Sequence, residues 1–205
     1  MTTSETETET AVKYRPILFS GEMIRAILDG RKSMTRRVVK PQPDNIRSSP
    51  FVKSGIEDVH GYEVKCPYFV GQQLWVRETH AFERIVESGE DFYNSYSKVI
   101  YRATEPELPA NVETGWKPPI FMPRWASRIT LEVTGVRVER VQDITHEDAV
   151  AEGFTQSWDP VEYPHGKAWG RLGFSNTWDK LNEKRGYGWD TSPWVWVISF
   201  KVVQP

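Results

Sequence analysis

The chain has 205 residues, 39% hydrophobic and 26% charged, a globular balance at a length that one hydrophobic core can serve. A net charge of −2 argues against a polyanion-binding surface spread over the whole molecule, and no apolar run approaches the roughly 20 residues of a membrane span. One cysteine, Cys66, excludes an intramolecular disulfide, and His60, His80, His146 and His165 stand apart at no zinc-ligand spacing, so neither metal nor cofactor is expected.

Residues 1–13 alternate Thr, Ser and Glu with almost nothing to bury and are expected to form a disordered leader. They lack a basic n-region and an apolar h-region, so a cytoplasmic protein without membrane attachment is expected. Glu5, Glu7 and Glu9 belong to this leader, and setting those three aside leaves 26 basic against 25 acidic residues. The rest of the chain, 14–205, reads as a single α+β domain.

Ile17, Leu18 and Phe19 form a short apolar strand, after which Ser20 can cap a helix with Met23, Ile24, Ile27 and Leu28 on one face. Gly30 ends that helix in a left-handed conformation. Lys32 to Val39 is strand-permissive up to Pro41 and Pro43, and Gln42 to Phe69 reads as a long surface excursion. Strands follow at Gln73–Glu78 and Lys98–Arg102, and the prolines between Thr104 and Pro123 argue against regular structure there. The clearest alternation runs from Arg128 to Val141, with Gly135 marking a bulge or turn.

Thr145 caps a short helix with Glu147 and Asp148 in its first turn, and Gly153 ends it just past Glu152. Phe174, Trp178 and Leu181 share a later helical face that stops at Gly186, and Trp194 to Val203 forms a closing strand. Uneven strands with short helices clipped between them predict a small curled sheet or open barrel without βαβ repetition.

The strongest electrostatic feature is an acid-free block containing Arg31, Lys32, Arg36, Arg37 and Lys40. Lys32 and Thr35 lie three apart, which in a regular strand sends them to opposite faces, so they converge only if the segment begins in a turn or bulge. A lysine among arginines has its ammonium form disfavoured, and a neutral lysine can activate a threonine hydroxyl. Basic runs more often hold phosphates or face solvent. The candidate site is a polar pocket around Lys32, Thr35, Arg36 and Glu152. Arg31, Arg36, Arg37, Trp75, Glu78, Arg124 and Trp125 are candidate substrate or nucleic-acid contacts, Trp125 because arginines flank it in Pro123-Arg124-Trp125-Ala126-Ser127-Arg128.

The segment Gly30-Arg31-Lys32-Ser33-Met34-Thr35-Arg36-Arg37 resembles the signature of ASCH-domain proteins, whose fold is a PUA-like mixed β-barrel. The block Val70-Gly71-Gln72-Gln73-Leu74-Trp75-Val76, the strand Ile129 to Val133 and the closing Val195 to Phe200 follow in the same order. The resemblance implies short flanking helices and long insertions near 42–69, 82–119 and 154–188. In its motif the chain resembles the small bacterial amidohydrolases that deacetylate N4-acetylcytidine, with Ser33 where a threonine is common. That resemblance implies Thr35 as nucleophile, Lys32 as its base and Glu152 as proton donor. Over most of its length the chain also resembles phage and prophage ASCH-like proteins, which implies a bacterial host cytoplasm and two alternatives: a non-catalytic RNA- or DNA-binding module, or a ribonuclease. The partner is then a nucleoside or nucleic acid; the oligomeric state is left open.

Overall fold

A computed structural model describes residues 14–84, 97–110, 112, 115–154 and 169–203. The expected leader and parts of two expected insertions lie outside the described residues.

The fold is α+β, built on one mixed sheet flanked by short helices. Five strands form this sheet: β1 (Tyr14–Leu18), β2 (Met34–Val38), β5 (Gln73–Arg77), β8 (Thr130–Arg140) and β9 (Trp194–Val203). Their order is β1-β5-β8-β9-β2, with β1 parallel to β5 and the other pairings antiparallel. The sheet curls without closing. Its edge strands β1 and β2 approach each other, and Arg37 of β2 donates from Nη2 to the Leu18 carbonyl of β1 at 2.8 Å.

Strand β9 explains why the sheet is covered on both sides. Trp196, Ile198 and Phe200 point into a core shared with Leu74, Val76, Leu131 and the apolar stripe Ile24 and Ile27 of helix α1 (Gly21–Leu28). Val195 and Val197 point the other way, onto helix α2 (His146–Ala151) and helix α3 (Trp169–Asn182), where they meet Ala149, Phe174 and Trp178. A strand buried on both faces reads as a continuous apolar run, and Trp194 to Ile198 is one.

Several expectations from sequence are met. Ser20 Oγ accepts from Met23 N–H at the start of α1, and Thr145 Oγ1 accepts from Asp148 N–H at the start of α2. The β8–β9 register slips between Val133 and Gly135, the bulge that Gly135 announced.

Others are corrected. The excursion 42–69 contains a hairpin of β3 (Ile46–Ser48) and β4 (Ile56–Asp58), strands of three residues that are too short to show a period. Strand β6 (His80–Arg84) was not anticipated; it pairs with β7 (Ser97–Tyr101) across residues outside the description. The proline-rich stretch holds two one-turn 3₁₀ helices, Pro119–Phe121 and Arg124–Ala126. Leu181, expected on the buried face of α3, is 54% exposed, one residue before the helix ends at Asn182. Among the described residues no helix is long and apolar enough to cross a membrane.

Candidate functional site

The basic block begins outside the regular strand, with Lys32 in an isolated bridge and Ser33 in irregular backbone. Gly30, at φ 72°, reverses the chain after α1, and Lys32 N–H then donates back to the Ala26 carbonyl. Lys32 makes an isolated antiparallel bridge with Glu152, and Ser33 N–H donates to Ala151, before β2 begins at Met34. The C-terminal end of α2 is thereby stitched to the entrance of β2.

Gly153 makes that close approach feasible. Its φ is +96°, and a Cβ there would lie 3.0 Å from the Ala26 Cβ and 3.3 Å from the Lys32 Cβ. Glu152 is the C-cap of α2 and turns its carboxylate inward.

Lys32 and Glu152 are almost wholly buried, and Lys32 Nζ lies 2.7 Å from Glu152 Oε2. Nζ also donates to the carbonyls of Met34 at 2.7 Å and Glu152 at 2.8 Å, so all three of its protons have acceptors. Burial lowers the Lys32 pKa from the ordinary lysine value; the Glu152 carboxylate opposes that shift, and Arg37 and Arg36 add to it. The other Glu152 oxygen, Oε1, accepts from Arg36 Nη1 at 3.2 Å.

Arg36 is the hub of a larger network. Its Nη2 lies 2.5 Å from Glu139 Oε1 and 2.5 Å from Asp148 Oδ2, and Arg137 joins the same two acids. Burial alone would lower the Arg36 pKa, but Glu152, Glu139 and Asp148 outweigh it and raise the value. Buried Lys32 and Arg36 and the exposed Arg137 thus face three carboxylates, and the charges of the network cancel. Asp148 carried a sequence signal only as a helix-dipole residue, and Glu139 carried none, since both partners are more than a hundred residues from Arg36.

A cavity of about 640 Å³ opens along the gap between β1 and β2. Such a volume falls in the range of small-molecule sites, roughly 300–1,000 Å³. Its buried lining includes Thr35, Arg36, Glu152 and the rings of Phe19, Phe174 and Trp178, while Arg37, Lys40 and Arg185 line its more exposed parts. Lys32 is not in the lining; it supports Glu152 from behind. Among the described residues the Thr35 hydroxyl has no hydrogen-bond partner, although the residue is only 2% exposed. Arg37 lies over the Phe19 ring at 5.2 Å and Lys32 Nζ lies 5.6 Å from the same ring.

The other candidates stand elsewhere. Arg31 is exposed and paired with Asp29 at 2.7 Å. Trp75 is buried beneath the Arg77 guanidinium, 4.5 Å from its ring centre. The Glu78 carboxylate receives both Arg128 Nε and Nη2 at 2.9 Å. Arg124 lies over Tyr14 at 3.4 Å, and Trp125 is exposed and stacked on Phe82. None of these five lines the cavity. Sequence reasoning missed Phe19, Phe174 and Trp178 as lining because their apolar periodicity marks them only as core.

Scanned against models of known protein families the sequence matches none, and a search of curated proteins returns no match. Among solved structures the chain is similar to one described as a high-resolution crystal structure of an ASCH domain from Lactobacillus crispatus JV V101, with 13% identity and a TM-score of 0.43, covering 92% of this chain and 79% of that one.

Proposed function

We propose that the cavity between β1 and β2 takes an acylated nucleobase amine, of the N4-acetylcytidine kind, and that the protein hydrolyses the amide. The observation that carries this reading is Thr35, a residue only 2% exposed whose hydroxyl has no protein partner among the described residues, lining the same cavity as a Glu152 carboxylate held 2.7 Å from Lys32. A hydroxyl that lines a cavity without a protein partner keeps its donor and acceptor capacity for a ligand.

In the proposed reaction the Lys32–Glu152 pair first becomes neutral by passing one proton from Nζ to the carboxylate. The Thr35 oxygen attacks the acyl carbonyl and its proton goes to the Lys32 amine, which for this step must turn from its Met34 and Glu152 acceptors toward Thr35. The C–N bond breaks, Glu152 returns its proton to the departing base amine, and an acyl-Thr35 ester remains for water to cleave. Arg36 keeps Glu152 oriented. Phe19, Phe174 and Trp178 supply flat apolar walls for a base ring. The setting proposed for this reaction is the cytoplasm, that of a bacterial host if the chain is phage-encoded.

The test is incubation of the purified protein with N4-acetylcytidine and related acylated nucleosides, with chromatography of the released base amine. Turnover lost in both Thr35→Ala and Lys32→Ala supports the reading; a wild-type protein inactive on every acylated nucleoside removes it.

A second reading, a non-catalytic nucleic-acid pocket, is favoured by one observation: Lys32 Nζ already spends its three protons on Met34 and Glu152. A lysine so committed suits a structural cation. Binding without turnover would favour this alternative.

A further inference from the structure

We infer that the ligand of this cavity carries a phosphate, which Arg37, Lys40 and Arg185 hold while the base lies deeper against Thr35 and Glu152. The inference rests on the reading of the cavity as a nucleobase site and names a substrate class within it: a nucleotide or a single-stranded nucleic acid rather than a free nucleoside.

Among the described lining residues the cations are Arg36, Arg37, Lys40 and Arg185, and the only carboxylate is Glu152. Arg36 is fully committed to Glu139, Asp148 and Glu152, and Glu152 is shared with Lys32. The floor of the cavity is therefore electrically balanced. The three cations nearer solvent are not. Arg37 donates only to the carbonyls of Leu18 and Arg36 and lies over Phe19. Lys40 has only the face of the Tyr187 ring, 5.2 Å from Nζ. Arg185 is exposed in the 3₁₀ turn after α3. Among the described residues none of the three meets a carboxylate.

Two segments distant in sequence, Arg37 with Lys40 and the turn that carries Arg185, thus deliver unneutralised positive charge to one opening. Self-repulsion makes such an arrangement unfavourable in the free protein, and an anion of two negative charges relieves it. Arg37 is already oriented by its carbonyl contacts, so its planar fork loses little freedom on meeting phosphate oxygens. A neutral nucleoside would leave these charges uncompensated.

The experiment is calorimetric titration at low salt with cytidine, cytidine 5′-monophosphate and a short single-stranded oligocytidine. The wild type is compared with Lys40→Gln/Arg185→Gln, both exposed positions, and with the triple variant that adds Arg37→Gln; thermal melts check that each is folded. The phosphorylated ligands are expected to bind about tenfold or more tightly than cytidine. That preference should shrink in the double variant, vanish in the triple and weaken with added salt. A gain already present in the mononucleotide identifies a single phosphate as sufficient, and a gain only in the oligonucleotide identifies a strand. Equal affinity for all three ligands, absence of binding, or a preference that survives in the folded triple variant overturns the inference. Phosphate preference without turnover of acylated bases would retain it and remove the hydrolase reading; turnover of acylated nucleosides without phosphate preference would do the reverse.

Discussion

Lys32 Nζ and Glu152 Oε2 are 2.7 Å apart although 120 residues separate them in sequence, and neither side chain is more than 3% exposed. This contact joins the end of α2 to the start of β2 and sets the floor on which Thr35 sits. Burying two charges costs several kcal/mol each, and good geometry with further hydrogen bonds is needed to offset that. The carbonyls of Met34 and Glu152 and the guanidinium of Arg36 provide them.

Removing one partner should therefore cost more than removing both. Lys32→Met leaves Glu152 with Arg36 alone and is expected to lower stability by about 3 kcal/mol, the lower end for a broken buried pair. Lys32→Met/Glu152→Leu leaves Arg36 with Glu139 and Asp148 and is expected to cost less. Urea denaturation of the two variants checks the order; a single variant as stable as the wild type would show that the pair contributes nothing.

Gly153 is the backbone counterpart of that pair. Gly153→Ala must hold a side chain at φ +96° and displace the Ala26 Cβ that lies 3.0 Å away. A loss of about 2 kcal/mol or more is expected from the backbone conformation and the contact together. Gly30→Ala is the comparison: φ is +72° there, but nothing lies within 4 Å, so about 1 kcal/mol is expected. Equal losses would contradict the tight junction between α1, Lys32 and α2.

His80 predicts a pH dependence outside the cavity. Its ring is buried, hydrogen-bonded through Nδ1 to the Glu78 carbonyl at 3.2 Å, with no partner for Nε2 among the described residues. Burial, with Lys117 adding to it, lowers its pKa below 6.5. As pH falls below 6.5 the unfolded chain takes up a proton that folded His80 refuses, so stability drops by up to about 1.4 kcal/mol per pH unit until the folded pKa is reached. His80→Leu should flatten that slope in denaturation curves between neutral pH and the acid limb. An unchanged slope would assign the effect to other groups.

Much of this framework was legible because it is local. Ser20, Gly30, Thr145 and Gly153 mark helix ends, each acting within a turn or two of chain, and the alternation of Ile129, Leu131 and Val133 names the inner face of β8 directly. Glu152 stood out as a carboxylate at a helix C-terminus, where the dipole disfavours it; Lys32 and Arg36 explain the placement. The short β3–β4 hairpin was hidden because three residues cannot display a period. The Arg36 contacts to Glu139 and Asp148, and the gathering of Phe19, Phe174 and Arg185 around one opening, were hidden because they depend on how the sheet curls. Only the assembled fold brings those segments together.

Thr35 sits where that curl and the local turn meet, and its expected role can be separated from its packing. Thr35→Val keeps the shape and removes only the hydroxyl, so stability should change by less than about 1 kcal/mol, since no protein hydrogen bond is lost among the described residues. Thr35→Ser keeps the hydroxyl and should retain turnover. Denaturation curves beside hydrolysis rates distinguish a nucleophile from a packing residue.

The most direct measurement is rapid-quench mass spectrometry of the protein mixed with N4-acetylcytidine, followed by peptide mapping. The account predicts a transient acetyl group on the peptide bearing Thr35, formed as cytidine is released and absent in Thr35→Val. Release of cytidine with no acetylated Thr35 at any time, and undiminished in Thr35→Val, would contradict it.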